Sequence, residues 1–261
     1  MKPRKSVLTA AMYAGARLVL AHRQTAILRS ALGVAVATAA CHGGCGGSTS
    51  QPPIAEDCAA PPTTHTGKAT YYAATGGGNC SFPVGGDLMV GALNNTDYGN
   101  ADWCGGCVQV TGPKGSAIVK IVDRCPECAP GDIDLSQQAF AKIADLAAGR
   151  VAISWQLAAC PVSGPVVFAH KEGTSQYYTA IQVRNHRYPI AELAARAADG
   201  TWQALPRKIY NYYVPDKALG PGPYALRVTD VHGASLEASG VVLAPNAEVP
   251  GPGQFPSCAG E

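Results

Sequence analysis

Residues Ile121 to Phe140, reading IVDRCPECAPGDIDLSQQAF, constrain this chain more than any other stretch. A β-branched run ending at Asp123 has the composition of a strand. It meets a Cys-Pro-Glu-Cys turn and then an acidic Gly-Asp-Ile-Asp-Leu segment. Ser136 next offers a cap to a helix over Gln137 to Leu146, with Phe140, Ile143 and Leu146 on one face. Strand, turn, short strand and capped helix follow one another without a spacer. Two carboxylates, Asp123 and Asp134, therefore end up at the ends of short strands, with a cysteine pair between them.

The flanking segments carry the same β signal. Gly67 to Ala73, Leu88 to Leu93, Cys107 to Thr111, Ala117 to Val122 and Val151 to Leu157 are strand candidates bounded by Gly, Asn and Pro turns. Gly112-Pro113-Lys114-Gly115 reads as a hairpin connection, and Trp155 as a packed core ring. Beyond the stiff Pro161 to Pro165 linker, strand-like runs recur at 166–170, 177–184, 188–194, 201–205, 209–214, 224–229 and 235–243. Seven short strands at that spacing predict an antiparallel sandwich of immunoglobulin type. The chain is thus expected to be mainly β, in two domains. Its 30 glycines and 20 prolines fit many turns better than helical bundles.

The net charge of +2 misleads when read over the whole chain. Residues 1–57 hold six of the 20 basic residues and two of the 18 acidic ones, so the remainder carries 14 against 16. With no basic patch left, nucleic acid is excluded as a partner. Residues 1–40 read as a secretory leader: charged residues, then the apolar run Ala31 to Ala40, too short to span a bilayer, ending in small residues. Cys41 follows Thr-Ala-Ala as a lipidated cysteine would, although Thr38 stands where a bulky aliphatic residue is usual. Lipid anchoring at Cys41 and ordinary cleavage beside it both stay open. Residues 41–64 are rich in Gly, Ser and Pro and read as a tether.

Eight cysteines lie beyond residue 57, and an even count in an exported chain points to disulfides. The rival is a zinc ribbon, since Cys104-x-x-Cys107 and Cys125-x-x-Cys128 have its spacing. Export, the two further cysteines Cys80 and Cys160, and the absence of accompanying histidines weigh against it. No metal and no cofactor are expected.

Taken in order, these pieces resemble the bacterial expansin-like proteins. The residues that carry the resemblance are Gly67-Lys-Ala-Thr-Tyr-Tyr72, Val119-Lys-Ile-Val-Asp123, Asp132-Ile-Asp-Leu-Ser136 and Trp155 in the first half. In the second half they are Lys171-Glu-Gly-Thr-Ser175 and the long run Ala180-Ile-Gln-Val-Arg-Asn-His-Arg-Tyr-Pro189. The resemblance implies a six-stranded double-psi β-barrel over 65–162 and a carbohydrate-binding β-sandwich over 165–258. It also implies the pairs Cys80–Cys104 and Cys107–Cys160, a local Cys125–Cys128 staple, and leaves Cys58 to join Cys258.

The resemblance further implies a barrel groove with Asp134 as the acid needed for wall loosening, Asp123 as a second acid and Thr70 as a groove hydroxyl. A protonated Asp134 could donate to a glycosidic oxygen. Hydrolysis needs a second carboxylate at a set distance, and Ala73 stands where related endoglucanases carry their base. Cys125 replaces a groove tyrosine of other bacterial relatives; Tyr71 or Tyr72 can compensate, but neighbouring strand residues face opposite ways, so only one lines the groove. Tyr72 is the one expected to bind glycan. On the sandwich, Tyr177, Tyr178 and Tyr210 match a row of exposed aromatics that stack on sugar rings, with Lys171 beside them. Adjacent tyrosines on a regular strand cannot both face outward, so a bulge or strand end is required.

The expected function is an exported, monomeric protein that binds cell-wall polysaccharide and loosens it without hydrolysis. Cellulose, hemicellulose and peptidoglycan all stay open as ligands. The alternatives are a lytic transglycosylase or endoglucanase acting through Asp134, and an inhibitor or adhesin that uses the barrel only to bind.

Overall fold

The computed structural model describes Cys58 and residues 63–258. The leader, Cys41 and most of the tether lie outside the described residues. Six strands close a barrel in the order β1-β5-β2-β4-β3-β6. They are β1 (His65–Tyr72), β2 (Val90–Asn94), β3 (Cys107–Gly112), β4 (Gly115–Cys125), β5 (Ile133–Ser136) and β6 (Val151–Ala158). Parallel pairing of β1 with β5 and of β2 with β4 interleaves the two halves of the barrel.

Alternation explains which side chains fill it. Ala69 points inward on β1 between exposed Lys68 and half-buried Thr70, and Ile133 and Leu135 are fully buried on β5 with half-buried Asp134 between them. Leu93, Val108, Val110, Val119, Ile121 and Trp155 complete the filling. The Trp155 indole donates to the Gly131 carbonyl at 2.8 Å and stacks on His65, so it is the core ring that the sequence predicts.

The helix Gln137–Ile143 begins where Ser136 Oγ accepts the Ala139 amide, and it packs Phe140 and Ile143 into the core. It stops earlier than the sequence suggests. Ala144 is already extended, and Leu146 lies in a separate 3-10 turn (Leu146–Ala148) at 40% exposure, so it does not share the buried face.

The second half contains a four-stranded and a three-stranded sheet. The first has the order β10-β9-β11-β12, from β9 (Ile190–Arg196), β10 (Trp202–Ala204), β11 (Tyr224–Asp230) and β12 (Ser235–Val241). The second is β13-β7-β8, from β7 (Val167–His170), β8 (Ile181–Arg184) and β13 (Glu248–Pro250). Phe168, Ile181, Val183, Leu193, Leu226, Val228 and Phe255 are buried in one core.

Two strand assignments from sequence need correction. Residues 209–214 form a turn with Asn211 at φ 62°, which a regular strand cannot contain; only Tyr213 pairs, through a bridge to Ile181. Residues 177–180 form the end of the loop that leads into β8. The short strand β13 carries no sequence signal strong enough to find it.

Among the described residues four disulfides form, Cys58–Cys258, Cys80–Cys104, Cys107–Cys160 and Cys125–Cys128, with Cα–Cα distances of 5.1–5.5 Å. These are the pairs that the resemblance implies. The ribbon quartet is divided among three of them, so it does not assemble as a zinc site. Closing loops of 24 and 53 residues stabilises the barrel by about 3–4 kcal/mol each through the unfolded chain.

Barrel and sandwich are bonded side by side. Gln182 Nε2 donates to the Cys80 carbonyl at 2.7 Å, Asn100 Nδ2 to the Arg207 carbonyl at 2.9 Å, and Arg207 Nη1 to the Ala101 carbonyl at 3.1 Å. The Arg207 guanidinium also reaches the Ile190 carbonyl and the Tyr213 hydroxyl. These bonds hold one face of the sandwich against one face of the barrel.

Candidate functional site

Strand register lays out the candidate site. Thr70 on β1 pairs with Asp134 on β5, Asp134 pairs with Ala92 on β2, and Ala92 pairs with Asp123 on β4. Thr70, Asp134, Ala92 and Asp123 thus form one row across four adjoining strands. At the usual interstrand spacing the two acids stand about 9–10 Å apart at Cα.

Asp123 faces this row because of a bulge. On β4, Ala117, Val119 and Ile121 point inward, and strict alternation would send Asp123 inward as well. The register shifts between Gly91 and Ala92, so that Ile121 and Val122 are both buried and Asp123 turns outward.

The two acids have different surroundings. Asp134 Oδ1 accepts the Thr70 hydroxyl at 2.6 Å. Partial burial raises its carboxyl above the ordinary range; the Thr70 bond and the Arg150 charge pull it down, and Asp123 and Glu127 push it up. Asp123 Oδ1 is instead clamped by two backbone amides, Asn79 at 2.6 Å and Arg124 at 2.8 Å. Gly78 lies so close that a side chain there would overlap Asp123. Asp134 is held by one side-chain hydroxyl, whereas Asp123 is fixed in place by two backbone amides.

The choice between Tyr71 and Tyr72 is decided by the β1 pleat. Tyr71 packs on Phe140, ring centroids 4.9 Å apart, and belongs to the core. Tyr72 shares the Thr70 face. Its phenol is raised by burial first and then by the charges of Asp123 and Asp134. Its hydroxyl is enclosed and has no hydrogen-bond partner. Cys125 is bonded to Cys128 at the end of β4, and Ala73 is exposed.

The tyrosines lie on two turns. Ser175 and Tyr178 exchange backbone hydrogen bonds at 2.7 and 3.1 Å, closing a tight tip between β7 and β8. Tyr177 is 83% exposed at that tip and Tyr178 40%. Both face water because they precede the strand, which meets the strand-end requirement. Lys171 is half-buried at the base of the same loop, its amide bonded to the Ala180 carbonyl. Tyr210, half-buried, sits on the Lys208–Asn211 turn, its ring centroid 6.1 Å from that of Tyr212. Tyr212 and Tyr213 are buried.

Sequence reasoning missed Asn79, which joins the two halves of the site. Its amide holds Asp123, and its side chain donates at 2.8 Å both to the Tyr98 hydroxyl and to the Ile209 carbonyl. Tyr98 itself donates to the same carbonyl at 2.7 Å. Asp123 and the turn bearing Tyr210 are therefore separated by one side chain. The only sequence signal for this is the position of Asn79 beside Cys80 after a glycine run.

Known proteins resemble this chain in sequence and fold. Residues 64–155 match the double-psi β-barrel family model described as lytic transglycolase. Expansin-YoaJ of Bacillus subtilis is 37% identical over 205 residues, 74% of this chain and 87% of the relative. The chain belongs to the expansin family. Among solved structures, a mutant of the Clavibacter michiganensis expansin in complex with cellohexaose is 32% identical with a TM-score of 0.69, covering 75% of this chain and all of that one. The papain inhibitor of Streptomyces mobaraensis is 40% identical over 99 residues, 35% of this chain and 69% of its own. The expansin matches span both halves; the inhibitor match is confined to a length that fits the barrel.

Proposed function

We propose that this expansin-like chain is exported, binds a cellulose-like wall glycan along the barrel groove and the tyrosine turns, and loosens it without cutting it. The observation that carries the reading is the unequal pair of acids. Asp134, partly buried and bonded to Thr70, holds its proton above the usual carboxylate range and can donate to a sugar oxygen. Asp123 has one oxygen committed to two backbone amides, a poor state for a base that must take a proton from water.

The strand spacing by itself permits an inverting pair. The clamp on Asp123 and the exposed Ala73 argue against that use. What remains is competition for hydrogen bonds between glycan chains, with Tyr177, Tyr178 and Tyr210 stacking on sugar faces and holding the protein on the polymer. The cellohexaose complex of the Clavibacter relative supports a β-glucan as ligand. Four disulfides support an oxidising compartment.

The test uses cellulose filter paper. Wild-type protein is expected to weaken the paper while releasing no reducing ends, and Asp134→Asn to lose the weakening. Reducing-end release by wild type that vanishes in Asp134→Asn would make the protein a hydrolase. The inhibitor relative supports a second reading in which the barrel binds a cysteine protease; inhibition of papain at stoichiometric protein, unchanged by Asp134→Asn, would favour it.

A further inference from the structure

One group of side chains of metal-ligating type lies outside the groove. Among the described residues, Cys58, Cys258 and His232 bring two sulfurs and an imidazole nitrogen within 4.8 Å of one another. Cys258 is buried, and His232 Nε2 is enclosed without a hydrogen-bond partner. A buried ring nitrogen with no partner calls for an explanation, because such groups are nearly always satisfied.

The neighbours fix this geometry from both sides. Asp230 Oδ1 accepts the His232 and Ala234 amides at 2.9 and 3.0 Å, which sets the turn that carries the imidazole. The Tyr188 ring meets His232 edge-on at 4.5 Å, and the Tyr188 hydroxyl accepts the Cys258 amide at 3.0 Å. One tyrosine thus positions both a nitrogen and a sulfur.

In the structure the two sulfurs are bonded to each other and have no thiolate to offer. We propose that reduction of Cys58–Cys258 converts this clasp into a site for a thiophilic divalent ion of the zinc type, held by Cys58, Cys258 and His232 with water in the fourth position. An external dithiol supplies the two electrons: one thiolate attacks a sulfur, the second closes a disulfide in the reductant, and two protein thiols are left. Each thiol releases its proton when it takes the metal. A tetrahedral zinc with bonds of about 2.3 Å to sulfur sets the sulfurs about 3.8 Å apart. Atoms already gathered within 4.8 Å need only short movements to reach that arrangement. The metal would keep Cys58 joined to Cys258 when the covalent link is open.

The test uses the full chain carrying Cys41→Ser, Cys45→Ser, Cys125→Ser and Cys128→Ser. Dithiothreitol without denaturant then meets one accessible disulfide, through half-buried Cys58, because both partners of Cys80–Cys104 and Cys107–Cys160 are buried. Reduction is expected to expose two thiols, and cobalt(II) to bind at one per chain with a thiolate-to-cobalt charge-transfer band that zinc abolishes. The unreduced protein should bind none. His232→Ala should weaken cobalt binding by about tenfold or more, as losing a supporting partner alone often does, and Cys58→Ser with Cys258→Ser should abolish it. Circular dichroism of unreduced His232→Ala checks that the fold is kept. Failure to expose two thiols, absence of stoichiometric cobalt, or binding indifferent to His232→Ala would each overturn the proposal.

Discussion

Gly78→Ala tests whether the clamp on Asp123 is as tight as it looks. A Cβ at Gly78 would sit 2.5 Å from Asp123 Cβ and 2.7 Å from the Val122 carbonyl oxygen, and closer still to Asp123 Cγ. None of these neighbours can yield cheaply. Val122 is a buried strand residue, and the short Asp123 side chain is held by two amides. Crowding of this kind costs about 1–3 kcal/mol. Relief by moving the loop away breaks the Asn79 amide bond to a carboxylate, about 1.5–3 kcal/mol. A total on the order of 3 kcal/mol should lower Tm by roughly 6–12 °C in a folded unit of this size. Paper weakening should fall as well, because Asn79 also anchors the Ile209 carbonyl beside Tyr210. The control is Gly86→Ala, at φ +75° with nothing within 4 Å; only left-handed strain of about 1–2 kcal/mol applies there. Should Gly78→Ala melt no lower than Gly86→Ala, the tight-clamp argument is wrong.

Three further outcomes are expected. The folded chain holds the Asp134 proton above the ordinary 3.8, so the stability this group contributes is complete below pH 3.8 and is lost as pH rises through the raised value; Asp134→Asn should gain on wild type over that window, by less than about 1 kcal/mol because the group is only partly buried, as read from denaturant midpoints between pH 3 and 8. Tyr177→Ala with Tyr178→Ala should leave Tm within about 2 °C, as exposed positions do, while retention on crystalline cellulose falls; a parallel fall in Tm would make these rings structural. Arg207→Lys loses the fork that serves the Ala101 and Ile190 carbonyls and the Tyr213 hydroxyl, and about 2–3 kcal/mol should disappear from chemical unfolding.

The strands and capped helix of the barrel were legible because their signals are local, while the expansin architecture came from the resemblance. Period-2 burial at Ile133 and Leu135 around Asp134, the Ser136 cap and the buried face of Phe140 and Ile143 all follow from residues a few places apart. Signals failed where local pattern and long-range pairing disagree. The apolar, aromatic run 209–214 has strand composition, yet it turns at Asn211, closed by the local bonds of Lys208 with Asn211 and Tyr212 while Tyr213 pairs with distant Ile181. Leu146 continues the helical period but follows a chain that has already left the helix at Ala144.

The outward positions of Thr70 and Asp134 on their own strands and the cysteine complement are written in the amino-acid order, since alternation along one strand needs no distant information; that Thr70 meets Asp134 depends on pairing across 64 positions. Which way Asp123 points is not written there either. Alternation along β4 would bury it, and only the bulge formed by pairing with β2 rotates it into the row with Asp134. The same holds for Asn79, whose two bonds tie residues 44 and 130 positions away. Such contacts depend on how closed sheets meet, a property of the assembled fold that no stretch of the chain carries alone.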